Sequence, residues 1–181
     1  MYSIRGADLR DAAGIAHVHV QSWRTTYGGI VPPEYLASLN EAERVPLWQD
    51  WLTRPVSVFI AEIKGEIVGF GGGGTIRERL NAYDSELYTL YLLKEAQGRG
   101  IGTALLGAVA ASLSQKGHQS MVVWVLEQNP AVRFYEKTGA RCVTGRQIEI
   151  GGVALSEVAL GWPDLTRILP KTGNEHRKEY P

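Results

Sequence analysis

The residues with the clearest chemical potential are the glycines of one short turn, Gly98, Gly100 and Gly102. They follow an apolar strand-like run, and a helical pattern of apolar residues begins within the turn, at Ile101. A helix that starts on glycines leaves its first backbone N–H groups uncovered by side chains, at the positive end of the helix dipole. Such a helix start suits a bulky anion, with phosphate or pyrophosphate as the natural ligand. The alternative is a turn that glycine merely softens, which lowers stability without serving a ligand.

The spacing of these glycines shows which of the known phosphate-binding motifs the turn matches. The Walker motif needs a lysine and a hydroxyl residue after its last glycine, whereas Thr103 and Ala104 follow Gly102. The dinucleotide fingerprint needs its third glycine where Thr103 stands. The pattern that does match is Gln-x-x-Gly-x-Gly, starting at Gln97. This stretch resembles the acetyl-CoA pyrophosphate loop of the GNAT superfamily of N-acetyltransferases.

The resemblance continues downstream of the glycine turn. Its order and spacing are kept, and one departure is Lys94, where proline is common in the loop. The matching residues there are Asn129, Ala131, Phe134, Tyr135, Gly139 and Ala140. The resemblance implies the GNAT fold, acetyl-CoA as acetyl donor and N-acetyl transfer to an amine.

By resemblance, the backbone of Leu92 pairs with the pantetheine arm, the glycine turn holds the pyrophosphate, and Asn129 and Tyr135 flank the thioester. The cofactor-binding residues that the resemblance implies are Leu92, Gln97, Gly98, Arg99, Gly100, Ile101, Gly102, Thr103, Asn129 and Tyr135.

A second segment, between the first two helices, is a candidate for the acceptor side. It is aromatic, broken by glycine and stopped by proline, and loops of this kind often carry function. Its Trp-Arg-x-x-Tyr-x-Gly pattern, from Trp23 to Tyr27, resembles one branch of the GNAT superfamily in which this segment walls the acceptor site. We therefore expect Trp23, Tyr27 and Glu34 on the substrate side. The alternative is that Trp23 and Tyr27 only close the core.

The chemistry itself asks for few residues, because a positioned amine attacks the thioester carbonyl directly. An alkyl ammonium has a pKa of about 10.4, so a base or a water relay must remove its proton. Glu86, on the strand that leads into the glycine turn, is the candidate base, and a solvated glutamate is the alternative. Tyr135 is the candidate general acid for the departing thiolate, against a purely packed tyrosine. A non-catalytic acyl-CoA-binding module on the same fold is the competing function.

The elements predicted around these residues make an α/β fold. A first strand and a helix capped by Asp8 come first, then two further helices and a hairpin over Ser57–Gly73. The strand Ser85–Leu93 and the doubly apolar strand Ser120–Leu126 flank the glycine-turn helix, which indicates a parallel pair with a right-handed crossover. A short helix and a final hairpin close the domain. We expect a GNAT-like, mixed and mostly antiparallel sheet of about seven strands, flanked by helices.

Composition limits the remaining options. Nineteen basic and nineteen acidic residues give a formal charge of zero, so no nucleic-acid partner is indicated. With 44% hydrophobic residues, we expect one domain over residues 1–170 and a disordered charged tail over residues 171–181. The single Cys142 and the absence of a signal-like or membrane-length apolar run favour the cytoplasm and no membrane partner. His17 and His19 lack ligand partners at metal spacing, so no metal is expected. The sequence leaves a homodimer open.

Overall fold

The computed structural model describes residues 1–80 and 82–170. The tail of residues 171–181 lies outside the described residues. The strands are β1 (Ser3–Gly6), β2 (Ser57–Ile63), β3 (Glu66–Thr75), β4 (Ser85–Leu92), β5 (Met121–Leu126), β6 (Arg141–Ile150) and β7 (Val153–Trp162). The α-helices are α1 (Ala12–Thr26), α2 (Pro33–Ser38), α3 (Glu41–Thr53), α4 (Ile101–Gln115) and α5 (Ala131–Lys137).

The seven strands form one mixed sheet in the order β1-β2-β3-β4-β5-β7-β6. Every neighbouring pair is antiparallel except β4 and β5, which run parallel and are joined through α4. The apolar sides of α1 and α3 pack on one face of the sheet, and those of α4 and α5 pack on the other. The predicted α/β fold with its parallel strand pair is therefore confirmed. None of the helices in the described part of the chain is long and apolar enough to cross a membrane.

The start of α1 differs from the expectation in detail. Asp8 caps a short 3₁₀ turn, Leu9–Asp11, and accepts a hydrogen bond from the amide of Arg10 at 2.8 Å. Asp11 completes the capping box of this turn by accepting from the Asp8 amide at 2.8 Å, and the α-helix begins at Ala12. Asp8 is therefore a capping residue, as predicted, but the α-helix starts one turn later than expected, after the 3₁₀ turn that Asp8 caps.

A bulge in β4 sets the shape of the sheet around the parallel pair. On β3, Gly72 lies opposite Thr89 and Gly73 lies opposite Leu87, so Tyr88 is an extra residue in β4. A bulge of this kind bends its strand and ends regular pairing. The pairing between β4 and β5 does stop there, after Leu87 and its partner Val123. Beyond that point the two strands separate and leave a gap in the sheet.

The glycine run of β3 has a packing role. A Cβ atom on Gly73 would lie 2.7 Å from the carbonyl oxygen of Glu86, and one on Gly74 would lie 2.8 Å from the Tyr88 hydroxyl. At Gly73 the clash is with backbone, whereas at Gly74 the Tyr88 side chain would have to move. The glycines therefore allow β3 to approach the bulged strand β4 closely.

His19 lies in an aromatic cluster under the sheet, where its nitrogen accepts a hydrogen bond. The indole N–H of Trp48 donates to His19 Nδ1 at 3.2 Å, and the imidazole stacks on Tyr91 at 5.3 Å between ring centroids. Burial, assisted by the positive charge of Arg44, lowers the pKa of His19 to about 4. His19 is therefore a neutral, packed histidine at physiological pH.

This burial predicts a pH-dependent loss of stability. The unfolded chain, in which a histidine has a pKa of about 6.5, takes up the proton first as the pH falls. The contribution of neutral, buried His19 to the free energy of unfolding is therefore complete above about pH 6.5 and declines toward pH 4. Between about pH 7.5 and pH 5, the wild-type protein should lose roughly 1–2 kcal/mol of unfolding free energy that His19→Gln does not lose, measured by urea unfolding. His17→Gln, which removes an exposed imidazole of the same helix that pairs with Glu41, is the comparison variant and should change the slope less than His19→Gln does. Equal slopes in all three proteins would contradict the prediction.

Candidate functional site

The gap between β4 and β5 opens into a cleft of about 610 Å³. Residues from both separated strands, from the glycine turn, from the end of α1 and from the start of α5 line it. The lining residues are Ser22, Thr25, Thr26, Tyr27, Tyr88, Thr89, Leu90, Tyr91, Leu92, Lys94, Gln97, Gly98, Gly100, Gly102, Thr103, Val123, Trp124, Val125, Asn129, Pro130, Ala131, Phe134 and Tyr135. The cleft thus lies where β4 and β5 separate after the bulge, and residues at the ends of the neighbouring strands and helices line it.

The glycine turn has the geometry of an anion-binding helix start. Gly98 and Gly100 adopt left-handed conformations with φ of 72° and 80°, which side chains other than glycine rarely allow. Gly100 caps α4 without any side-chain hydrogen bond, and the first helical bond runs from the Ala104 amide to the Gly100 carbonyl at 3.1 Å. The N–H groups of residues 101–103 precede that bond and lie beside the cleft. They can therefore receive an anion at the N-terminus of a helix of 15 residues.

The backbone of Leu92 faces the gap. Its neighbour Leu93 donates its amide to the Val68 carbonyl of β3 at 2.9 Å, so strand alternation directs the peptide groups of Leu92 away from β3. The Leu92 carbonyl accepts a hydrogen bond from the buried Ser22 hydroxyl at 3.0 Å. A linear ligand with amide groups could continue the sheet along this edge. Ser22 was not predicted, because it lies on α1, 70 residues away in sequence, and carries no motif of its own.

The Asn129 side chain is fixed at both ends. Its oxygen accepts the amide of Ala131 at 2.9 Å, which is the first residue of α5. Its nitrogen donates to the Tyr27 hydroxyl at 3.2 Å in a buried hydrogen bond. Trp23 packs against the Tyr27 ring at 4.6 Å between centroids. The two segments that the sequence singled out, after α1 and after β5, therefore meet in the cleft through a single hydrogen bond.

Tyr135 combines burial with access to the cleft. The residue is 4% exposed, its ring packs edge-on against Trp162 and Phe134, and it is among the lining residues. Its hydroxyl has no hydrogen-bond partner within residues 1–80 and 82–170, so it is free to serve a ligand. Burial, with a smaller effect of Tyr91, raises the pKa of the Tyr135 hydroxyl above its ordinary value. Tyr135 therefore keeps its proton at neutral pH, so in a proton transfer it can act as an acid and not as a base.

The cleft brings together nine of the residues that the sequence pointed to and leaves five outside its lining. Ile101 is fully buried beneath the sheet and Arg99 points to solvent, so only the backbone of that part of the turn is available. Trp23 supports Tyr27 from behind, and Glu34 is exposed on α2. The nine in the lining are Tyr27, Leu92, Gln97, Gly98, Gly100, Gly102, Thr103, Asn129 and Tyr135.

Glu86 is the fifth residue outside the lining, and its surroundings do not support a role as a base. The side chain is 2% exposed, and its carboxylate accepts hydrogen bonds from the Arg77 amide at 3.1 Å and from Arg77 Nε at 3.2 Å. It precedes the bulge, on the part of β4 that still pairs with β5. The carboxylate is therefore committed to Arg77 and is not directed at a substrate.

This arrangement predicts the behaviour of Glu86→Gln. The variant should lose about 1–2 kcal/mol of unfolding free energy, because Arg77 loses a charged partner while its own half-exposed guanidinium stays hydrated. Its pH–rate profile for acetyl transfer should match that of the wild type. If the acidic limb of the pH profile of kcat/KM were shifted in Glu86→Gln, the result would instead support Glu86 as the base.

Comparison with known proteins places this cleft in a family. The model of the Acetyltransferase (GNAT) family matches residues 20–140. An uncharacterized N-acetyltransferase, YuaI of Bacillus subtilis (strain 168), is 47% identical over 169 residues, which cover 93% of this chain and 96% of the relative. The PaiA N-acetyltransferase of Thermoplasma acidophilum, solved in complex with coenzyme A, has the same fold with a TM-score of 0.71 at 23% identity, covering 89% of this chain and 98% of that one. The structure of YncA from Salmonella typhimurium with its cofactor acetyl-CoA gives a TM-score of 0.70 at 19% identity, covering 91% and 94%. The chain therefore belongs to the GNAT family of acetyltransferases.

Proposed function

We propose that this protein transfers the acetyl group of acetyl-CoA to a primary amine of a small molecule or peptide by direct attack. The observation that carries the proposal is the gap between β4 and β5. It collects an uncapped helix start, a free strand edge and a buried, protonated tyrosine in one cleft. Family membership supports the donor and the reaction type.

The glycine turn and the strand edge would hold the donor. Each N–H group of the turn that meets a pyrophosphate oxygen contributes about 1.5–3 kcal/mol as a charge-assisted hydrogen bond. Leu92 offers its peptide groups to the amides of the pantetheine arm, in the manner of an added strand. Asn129, held by Tyr27, would lie near the thioester. Together these groups would position the acetyl carbon for attack.

The proton balance assigns two further roles. The amine nitrogen forms a bond to the acetyl carbon, the carbon–sulfur bond breaks, and the thiolate takes a proton that Tyr135 can supply. Solvent water then returns a proton to the Tyr135 oxygen. No carboxylate or imidazole from the described residues lines the cleft. We therefore assign removal of the amine proton to water, ordered by hydroxyl groups such as those of Thr25 and Thr26.

The experiment that tests the function measures CoA release from acetyl-CoA in the presence of a panel of amines, amino acids and peptides. Release that depends on an acceptor, with the acetylated amine identified by mass spectrometry, is the expected result. Tight acetyl-CoA binding without release for any acceptor would instead support a non-catalytic acyl-CoA-binding module. We place the activity in the cytoplasm, where acetyl-CoA is available. Light scattering of the purified protein distinguishes a monomer from the homodimer that the sequence left open.

A further inference from the structure

Two arginine side chains stack on aromatic rings that line the cleft. The guanidinium carbon of Arg77, in the loop between β3 and β4, lies 4.7 Å from the centroid of the Tyr88 ring. That of Arg146, on β6, lies 4.0 Å from the centroid of the Trp124 ring. Tyr88 and Trp124 belong to the two strands that border the gap, and both line the cleft. One cationic group is therefore fixed on each side of the opening.

Buried carboxylates hold one edge of each guanidinium group. Glu86, which is 2% exposed, accepts from Nε and Nη2 of Arg77. Glu157, whose side chain is 10% exposed, accepts from Nε of Arg146 at 2.5 Å. Arg77 Nη1 and Arg146 Nη2 donate to no side chain or carbonyl in the described ranges. The side chains of the two arginines are 58% and 41% exposed, so these remaining donors can reach a ligand.

A third carboxylate shows where an anion can bind. Glu78, whose side chain is 61% exposed, accepts a hydrogen bond from Nη1 of Arg146. An exposed ion pair of this kind contributes little to stability, so a ligand anion can replace it. Glu86 and Glu157 are each matched by an arginine, and Glu78 is the only carboxylate of the cluster that a ligand must displace. The planar guanidinium fork suits a carboxylate, which it can bind through two parallel hydrogen bonds.

We propose that Arg146 and Arg77 bind a carboxylate group of the acceptor, so that the substrate is a small molecule of the amino-acid class with both a primary amine and a carboxylate. This inference rests on the proposed acetyl transfer and specifies its acceptor. The amine would lie in the cleft beside the thioester, while the carboxylate would meet the two arginines at the rim. Arg146 is a specificity-determining residue in this arrangement and takes no part in proton transfer.

The test compares matched acceptors that differ only in the carboxylate, such as phenylalanine with phenethylamine and glutamate with 4-aminobutyrate. The wild-type protein should favour the acceptor with the α-carboxylate. Arg146→Gln should raise its KM by about ten- to a hundredfold, the effect of losing a charge-assisted bond, with kcat within about threefold. The kcat/KM for phenethylamine should stay unchanged. Arg141→Gln is the matched control, because Arg141 is exposed on the same strand and makes no ion pair with the part of the chain described.

Several results would overturn the assignment. An equal loss for both members of an acceptor pair would show that Arg146 only supports the fold, and a wild-type preference for phenethylamine would exclude a carboxylate subsite. If no acceptor releases CoA, the proposed function fails. Calorimetry of N-acetylphenylalanine with the CoA-saturated protein then tests the subsite separately. Binding that Arg146→Gln weakens and Arg141→Gln leaves intact would uphold the carboxylate site, and equal binding by all three proteins would reject it.

Discussion

Replacing Gly100 by valine should lower the affinity for acetyl-CoA by at least about a hundredfold. Gly100 has a φ of 80° at the uncapped start of α4, and a β-branched residue can adopt that conformation only with strain. The added methyl groups would also stand where the N–H groups of the turn receive the pyrophosphate. Loss of two charge-assisted hydrogen bonds, each contributing about 1.5–3 kcal/mol, accounts for an effect of this size. Isothermal titration calorimetry with acetyl-CoA measures it directly.

Gly117→Val separates the loss of binding from backbone strain. Gly117 follows the opposite end of α4 with a φ of 92°, and no atom lies within 4 Å of the place its Cβ would take. Both valine variants should therefore unfold at a lower temperature than the wild type, while only Gly100→Val loses acetyl-CoA binding. Retention of wild-type affinity by Gly100→Val would refute the proposed pyrophosphate site.

Tyr135→Phe should reduce kcat by roughly 10- to 1000-fold, the range associated with losing one general acid. The change removes only a hydroxyl group that has no partner in residues 1–80 and 82–170, and the ring keeps its contacts with Phe134 and Trp162. The variant should therefore fold as the wild type does, and its KM for acetyl-CoA should stay within about threefold of the wild-type value. Because burial raises the pKa of this hydroxyl, the wild-type rate should not fall from loss of its proton at neutral pH. Steady-state rates between about pH 6 and pH 9 measure both features.

A thioester with a more acidic thiol sharpens the test of Tyr135. A leaving group that is stable as a thiolate needs no proton, so it should restore a large part of the rate lost in Tyr135→Phe. Tyr35→Phe, a half-buried phenol on α2 outside the lining of the cleft, should behave like the wild type with both thioesters. Equal kcat values for Tyr135→Phe and the wild type with acetyl-CoA would leave Tyr135 with a packing role only.

The parts of the site that could be predicted depend on short stretches of sequence. Gly98 and Gly100 adopt left-handed backbone directly before the helix α4, so the turn is encoded within a few residues. The apolar strand β5 and the short helix α5 are likewise marked by their own composition and by Asn129. These signals fix the parallel pair and place the turn and Tyr135 at the same end of the sheet.

The parts that could not be predicted depend on pairs of residues far apart in the chain. The bulge at Tyr88 is a matter of register between β3 and β4, and the local alternation of β4 does not reveal it. Glu86 looked available as a base because its partner Arg77 lies in an irregular loop, where no periodic pattern indicates a contact. Ser22 lines the cleft and Arg146 stacks on Trp124 of its lining, and the orientation of both side chains depends on how the whole sheet is assembled.

The early end of pairing between β4 and β5 leaves the far part of each strand without a partner on the side of the gap. In the described part of the chain three residue pairs, from Ser85 and Met121 to Leu87 and Val123, join the two strands, and they all lie on one side of the gap. Across the gap the two parts of the sheet are held together by packing, because α4 shares one core with residues of both strands. A donor that hydrogen-bonds to the unpaired edges would therefore add backbone hydrogen bonds where the sheet has none. Its binding should slow amide hydrogen exchange along Leu90–Leu92 and in β5 far more than in the hairpin of β2 and β3.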